Sequence, residues 1–213
     1  MCQASVSIPA YGIITHTTQP KQSRSKLPNK TFATIPTQGV HHLTLVGASR
    51  KISIDFWQGV LGMPFVFEQP NLDNADESHL YFDPGDGRLI TIFTDEKRKD
   101  ISKKVSQETG AVHHIAFELS QAVFEQVEDR LRERQIAYTG PKDRGFMKSI
   151  YFRDPLGLLI ELAYYTFVIP EGSRIADVMI RAHRIRVSKE AYNIQQEHIA
   201  EAIEDITSQR DSL

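Results

Sequence analysis

Three side chains of this sequence are well suited to binding a metal. His42 and His114 are each the second histidine of a His-His pair that opens an apolar, β-prone run. Glu161 interrupts the apolar segment 158–163, where a buried carboxylate would cost stability unless a cation or a partner offset it. Two imidazoles and one carboxylate bind non-haem Fe(II) and leave coordination positions open for oxygen and substrate. We therefore predict a metal site with His42, His114 and Glu161 as ligands.

The elements that must position these side chains follow one pattern that occurs twice, over about residues 39–96 and 111–167. Each copy is predicted as a strand, a helix and three strands, a βαβββ module. In the first copy we expect strands at 42–46, 65–68, 79–82 and 88–94, and a helix at 49–61. In the second copy we expect strands at 114–119, 136–138, 149–153 and 158–164, and a helix at 121–134.

The fold class that follows is α+β: two βαβββ modules form a half-open barrel around a metal site, with a helical C-terminal extension. Each module buries one face of its sheet, and a cavity is expected between the sheets. Tyr81 precedes Thr91 by the same interval as Tyr151 precedes Glu161. The first module therefore has a threonine where the second has its carboxylate, so the pair supplies three ligands and leaves a fourth position empty.

The two ends of the chain differ in composition from the repeat. Residues 1–38 are rich in Ser, Thr, Gln, Lys and Pro and contain no acid. This composition predicts a disordered leader, with an organelle transit peptide as the alternative. Residues 168–213 are predicted to form a helical extension, with helices at 173–186 and 188–207, that packs on the domain or on a second subunit.

Composition and charge exclude several classes of protein. The formal net charge is -2 and the pI about 6.4, so no overall field favours nucleic acid or an anionic membrane. No apolar run approaches the roughly 20 residues that cross a bilayer. The only cysteine is Cys2, which rules out an intrachain disulfide and fits a reducing compartment, so we expect a cytoplasmic protein.

The repeat, the histidine that opens each module and the terminal Glu161 resemble the vicinal oxygen chelate superfamily. This superfamily includes glyoxalase I, fosfomycin resistance proteins and the type I extradiol ring-cleaving dioxygenases. The segment 150–161 is similar to the second half of the extradiol dioxygenase signature. The upstream histidine of that signature is absent, because Lys142, Asp143 and Arg144 occupy its range. This departure argues against a typical catechol dioxygenase.

Residues 39–166 bear a closer resemblance to the hydroquinone-type ring-cleaving dioxygenases, which open para-diphenols. In that group the metal histidine is the second of a pair, like His42, and the first is an outer acid/base, like His41. An arginine lies seven residues before the active-site tyrosine, as Arg144 lies before Tyr151. The tyrosine lies ten residues before the carboxylate ligand. The resemblance implies Tyr151, Arg144 and His41 as catalytic residues.

The function implied by this resemblance is ring cleavage of a small aromatic substrate by O2, with Fe(II) as the metal and Mn(II) as the alternative. Those hydroquinone enzymes carry four modules, whereas this chain has two. Either the cavity differs, or a homodimer supplies the missing walls.

Two other functions remain open for the same fold. One is a lyase or transferase that uses a divalent metal, like glyoxalase I or the fosfomycin resistance proteins. Glyoxalase I usually has a ligand at the position of Thr91, which counts against it, but fosfomycin enzymes use two histidines and one Glu with Mn(II). The other is a small-molecule binding module. Such modules commonly lose the metal ligands, so the three retained here count against it.

Overall fold

The computed structural model describes residues 35–99 and 105–211. The chain divides into two compact units, Met1–Gly39 and Val40–Leu213. Only residues 35–39 of the first unit are described, so the predicted leader lies almost entirely outside the described residues. Every helix and strand given below belongs to the second unit.

Two four-stranded sheets of the same topology follow one another along the chain. The first consists of β1 (His42–Val46), α1 (Arg50–Trp57), β2 (Phe65–Pro70), β3 (Ser78–Phe82) and β4 (Leu89–Thr94), in the strand order β1-β4-β3-β2. The second consists of β5 (Ile115–Glu118), α2 (Gln121–Phe124), α3 (Val127–Glu133), β6 (Tyr138–Asp143), β7 (Met147–Arg153) and β8 (Leu159–Tyr165), in the order β5-β8-β7-β6. In each sheet the first and last strands pair in parallel, and the other pairs are antiparallel. The predicted α+β fold of two βαβββ modules is confirmed.

The helices of the modules are shorter than predicted. The first begins after its N-cap Ser49, as expected, but ends at Trp57, and the chain reaches Gly62 (φ +70°) through a turn. The single helix predicted at 121–134 is wrong. It breaks into α2 and α3 where the N–H of Gln126 bonds to the carbonyl of Val123, a tighter i−3 bond that interrupts the α-helical pattern.

The strand predicted at 136–138 is also wrong, because β6 begins only at Tyr138. Gln135 adopts a left-handed conformation (φ +55°), and the N–H of Ile136 bonds back to the carbonyl of Leu131. Such a bond closes the end of a helix. Residues 135 and 136 therefore complete α3 and cannot pair with a neighbouring strand.

The two modules share one hydrophobic core. Helix α1 lies between them: the ring of Phe56 is 6.3 Å from that of Phe152, and the ring of Trp57 is 6.3 Å from that of Phe117. Each fully buried aromatic side chain contributes about 1.5–3 kcal/mol of stability. The inward-facing strand residues of this core are Leu80, Phe82, Ile90 and Ile92 from the first sheet and Ile150, Phe152, Ile160 and Leu162 from the second.

Because side chains alternate along a strand, the other face of each sheet turns away from this core. We call the outward faces the first site face and the second site face. The first is defined by His42, Thr44, Thr91, Tyr81 and His79, and the second by His114, Glu161, Tyr151, Ser149 and Ala163.

Two further helices, α4 (Ile175–Ser188) and α5 (Gln196–Asp211), form the predicted C-terminal extension, which we call the C-terminal hairpin. They bury a second, smaller core of Val178, Ala182, Ile199, Ala202 and Ile206. The predicted start of the last helix at residue 188 is wrong, because Glu190 is left-handed (φ +55°) and breaks the helix there. Among the residues that the structure describes, no helix is long and apolar enough to span a membrane.

Candidate metal centre

The strand register places equivalent residues of the two modules at equivalent points of the two sheets. In the second sheet Glu161 on β8 lies opposite Tyr151 on β7 and beside Ala116 on β5. In the first sheet Thr91 on β4 lies opposite Tyr81 on β3 and beside Thr44 on β1. The ten-residue interval seen in the sequence is thus a cross-strand pair in both modules.

The second site face brings three of the predicted site residues together. The Nε2 atom of His114 lies 2.9 Å from Oε2 of Glu161, and the hydroxyl of Tyr151 donates to Oε1 of Glu161 at 2.8 Å. The Glu161 residue is only 3% exposed, whereas the His114 side chain is 36% exposed. A buried carboxylate is thus held by one donor on each oxygen, at the edge of solvent.

This donor pair fits a divalent metal. An imidazole nitrogen and a carboxylate oxygen that bind one ion at about 2.1 Å and at a right angle lie about 3.0 Å apart, and the observed separation is 2.9 Å. Tyr151 would remain on the other carboxylate oxygen, where it orients the ligand. His114 and Glu161 therefore have the chemistry and the spacing of two adjacent ligands.

Both histidine pairs have the same geometry. The Nδ1 atoms of His41 and His42 are 2.8 Å apart, and those of His113 and His114 are 2.7 Å apart. In each pair the rings are nearly perpendicular, at 82°. The first histidine thus contacts the Nδ1 atom of the second and leaves its Nε2 on the opposite side of the ring, where in His114 it meets Glu161. His113 stands in the same relation to His114 as His41 does to His42.

His42 does not join His114 and Glu161 within one chain. No group of three or more His, Cys, Asp or Glu side chains in residues 35–99 and 105–211 is placed to hold a metal ion. His42 lies at the start of β1 on the first site face, and near it the hydroxyl of Thr91 donates to that of Thr44 at 2.8 Å. The three-residue ligand set stays a prediction.

A half-buried histidine on the first site face, His79, is not among the predicted site residues. His79 accepts or donates a 2.9 Å hydrogen bond with the hydroxyl of Tyr81, and Gln69 donates to the same hydroxyl. Partial burial and the nearby imidazole of His42 hold the pKa of His79 below its usual range. The signal that could have identified it is its position two residues before Tyr81, the repeat partner of Tyr151.

The end of β6 and the turn that follows it carry two exposed cations, Lys142 and Arg144. The ammonium group of Lys142 lies 5.2 Å from the centre of the Tyr151 ring, a cation–π contact that the sequence does not reveal. Arg144 lies at the tip of this turn, where its N–H bonds to the carbonyl of Met147. Its guanidinium has no ion-pair or hydrogen-bond partner among the residues that the structure describes.

A depression of about 430 Å³ opens over the second site face and is lined by His114, Glu161, Glu118, Met147 and Tyr165, among others. Its volume is in the range of small-molecule sites. Burial and the nearby carboxylate of Glu118 raise the pKa of Tyr165. A larger cavity of about 840 Å³ between α1 and β7 includes Tyr151 but neither His114 nor Glu161, so the smaller depression is the better candidate.

Comparison with known proteins agrees with this architecture. The candidate ring-cleaving dioxygenase MhqO of Bacillus subtilis (strain 168) is 29% identical over 126 residues, which cover 59% of this chain and 40% of MhqO. The metallothiol transferase FosB of Staphylococcus haemolyticus is 30% identical over 127 residues, which cover 59% of this chain and 82% of FosB.

Among solved structures, a candidate dioxygenase from Bacillus subtilis superposes with a TM-score of 0.50 at 27% identity, over 64% of this chain and 46% of the other. This chain therefore spans less than half the length of the two dioxygenase-like proteins. A family model matches residues 39–162, both βαβββ modules except the end of β8. The chain belongs to the glyoxalase/bleomycin resistance protein/dioxygenase superfamily.

Proposed function

We propose that this protein is a metal-dependent ring-cleaving dioxygenase that acts on a small phenolic substrate. The observation that carries the proposal is the group formed by His114, Glu161 and Tyr151, in which a buried carboxylate and an imidazole lie at the spacing of adjacent metal ligands. The similarity to MhqO supports the choice of reaction.

We propose further that a homodimer completes the site, with the partner subunit's His42 joining His114 and Glu161. Within one chain the two site faces turn away from a shared core, and His42 forms no metal-binding group with His114 and Glu161 among the described residues. The first site face exposes the apolar side chains of Val46 (66%) and Phe67 (42%). A two-fold dimer that pairs the first site face of each copy with the second site face of the other would cover them and build two identical sites.

Fe(II) is the metal that we propose for this site, with Mn(II) as the alternative. When bound, such a metal lowers the pKa of a coordinated phenol and gives oxygen a place to bind next to it. A reducing, cytoplasmic compartment would keep iron in the ferrous state.

The residues around the ligands have distinct proposed roles. Tyr151 holds the Glu161 carboxylate in place through the hydrogen bond from its hydroxyl. His41, in contact with the ligand His42, is suited to accept and return the proton of a substrate hydroxyl near neutral pH. Lys142, whose ammonium group lies over the Tyr151 ring, and Arg144 on the adjacent turn are assigned the stabilisation of negative charge that develops on the substrate oxygen.

A metal-dependent transferase is the second candidate, because FosB is 30% identical and 82% of its length is matched. The two functions place different demands on the turn between β6 and β7. Ring cleavage of an uncharged phenol needs cations only for charge that develops during the reaction, whereas a transferase acting on an anionic substrate needs them for binding. Removal of both cations would therefore lower kcat in the first case and raise KM in the second.

The test is oxygen uptake by protein loaded anaerobically with Fe(II), with hydroquinone and catechol as substrates. The proposal predicts uptake of one O2 per diphenol consumed, and loss of uptake in Glu161→Gln. Consumption of a thiol and an electrophilic acceptor such as an epoxide in a one-to-one ratio by the Mn(II)-loaded protein, without oxygen uptake on either diphenol, would instead establish the transferase.

A further inference from the structure

The C-terminal hairpin, which lies outside the two modules, packs against the turn between β6 and β7. Gly145 (φ +84°) lies against the connection between α4 and α5, so closely that a Cβ atom there would come within 2.9 Å of the carbonyl oxygen of Ile194 and 3.2 Å of Oε1 of Gln195. Only glycine combines this backbone conformation with this approach. The next residue, Phe146, packs against the core of the C-terminal hairpin.

Backbone hydrogen bonds connect the turn to the strands on either side of it. The N–H of Arg144 bonds to the carbonyl of Met147 at 2.9 Å, and the N–H of Thr166, just after β8, bonds to the carbonyl of Phe146 at 3.0 Å. The N–H of Gly145 donates to the carboxylate of Asp143 at 2.7 Å. The tip of the turn is therefore fixed both to the second sheet and to the C-terminal hairpin.

The surface of the hairpin that meets the turn is itself held by a buried side chain. His198, 2% exposed, accepts the N–H of Gln195 on its Nδ1 atom at 2.9 Å, while its own N–H bonds to the carbonyl of Gln195. The side-chain bond is the N3 half of a capping box, with a histidine in the place usual for Glu or Gln, and a backbone bond replaces the other half. It fixes the start of α5 and thus the segment against Gly145.

Arg144, which the turn carries directly after the strand of Lys142, gains most from this support. Arg144 is exposed and unpaired among the described residues, and Lys142 lies over Tyr151. A long cationic side chain on a free turn would lose considerable conformational entropy when it binds a ligand, and a rigid backbone removes part of that cost beforehand. The contacts between the hairpin and the turn therefore do more than attach the hairpin: they hold the backbone from which Arg144 extends.

From these contacts we infer that the C-terminal hairpin is a positioning element for the site: through Phe146 and Gly145 it holds the turn that carries Arg144, directly after the end of β6 from which Lys142 reaches the Tyr151 ring. Phe146 and His198 are then positioning residues, which act through Arg144 rather than on the substrate. The inference rests on the proposed function for the role of Arg144. The contacts between the hairpin and the turn are independent of that function.

A double-mutant cycle on the full-length, metal-loaded protein tests this role. Phe146→Ala is expected to lower kcat/KM for hydroquinone about tenfold, which corresponds to about 1.4 kcal/mol, and to have no further effect in an Arg144→Ala background. Phe146→Leu, which keeps an apolar side chain against the hairpin, should restore most of the loss. Ile206→Ala, a matched deletion in the same small core away from the turn, should leave kcat/KM unchanged.

A second readout separates this inference from the proposed function. Hydrogen exchange of the Arg144 and Thr166 amides is expected to accelerate at least tenfold in Phe146→Ala and in His198→Leu, and to return toward the wild-type rate in His198→Gln. If the wild-type protein cleaves no diphenol while exchange of these amides still accelerates in the variants, the ring-cleavage proposal fails but the hairpin is shown to hold the turn. Unchanged exchange, or an equal loss of kcat/KM from Phe146→Ala with and without Arg144, would overturn the inference.

Discussion

Replacement of Glu161 by glutamine should separate metal binding from folding. Glutamine has nearly the same shape and keeps an oxygen that can accept the Tyr151 hydroxyl, which now bonds to Glu161 at 2.8 Å. It loses the negative charge that offsets the charge of a divalent ion. We therefore expect Glu161→Gln to fold without metal and to bind Mn(II) at least 100-fold more weakly than the wild type.

The size of the effect follows from mass action. At a free Mn(II) concentration 100 times Kd, binding adds about 2.7 kcal/mol to the free energy of unfolding of the wild-type protein. For the unit Val40–Leu213 this corresponds to a rise in Tm of roughly 5–10 °C. The variant should show a rise of less than about 2 °C at the same Mn(II) concentration.

The assay is thermal unfolding under anaerobic conditions, followed by far-UV circular dichroism with and without Mn(II), together with metal analysis of dialysed protein. Glu118→Gln is the matched control, because Glu118 lines the same depression but lies opposite Ala163 and away from His114. The control should keep the full rise in Tm. An equal rise in Tm and equal metal content for Glu161→Gln and the wild type would refute the role of Glu161 as a ligand.

Two further predictions concern the protein without metal. Tyr151→Phe leaves Oε1 of the buried Glu161 without its donor and should lower the free energy of unfolding in urea by about 1–3 kcal/mol; no measurable change would mean that water replaces the hydroxyl. Because burial and His42 hold the pKa of His79 below its usual range, the unfolded chain binds more protons than the folded chain just below about pH 6.5. The free energy of unfolding should therefore be highest above that pH and decline as the pH falls below it. His79→Phe should flatten this decline. An equal pH dependence of the free energy of unfolding in the variant and the wild type would contradict this assignment.

The sequence predicts the second site face well, because local rules determine it. Glu161 interrupts an apolar strand, and the strand places it in the interior at 3% exposure. The turn after Arg153 makes β7 and β8 an antiparallel pair, so a ten-residue interval suffices to put Tyr151 opposite Glu161. Both conclusions depend only on residues that lie close together along the chain.

The relation between the two modules could not be predicted in the same way. It depends on the packing of Phe56 against Phe152 and of Trp57 against Phe117, pairs that are far apart in sequence. Hydrophobic periodicity marks these residues as buried but does not say which sheet buries them. The sequence therefore identifies His42 as a ligand candidate without showing whether it comes together with His114 and Glu161 in one chain, which it does not do among the described residues.

The contact of Lys142 with the Tyr151 ring could not be predicted, for a local reason. The pairing of β6 with β7 shifts register between Thr139 and Lys142, and such an irregularity breaks the alternation from which side-chain direction is inferred. The contact of Lys142 with the Tyr151 ring is therefore visible only in three dimensions. The same holds for Gly145, whose close neighbour Ile194 belongs to the C-terminal hairpin.

Subunit complementation tests the central claim most directly, namely that His42 of one subunit and His114 and Glu161 of another bind one metal ion. His42→Ala and Glu161→Gln proteins are each expected to bind no Mn(II), and after subunit exchange in an equal mixture half of the dimers contain one chain of each kind. Each mixed dimer has one intact site of two, so Mn(II) binding and diphenol-dependent oxygen uptake should recover to about one quarter of the wild-type values. If mass spectrometry verified the mixed dimers and the mixture still recovered neither Mn(II) binding nor oxygen uptake, the shared site would be contradicted.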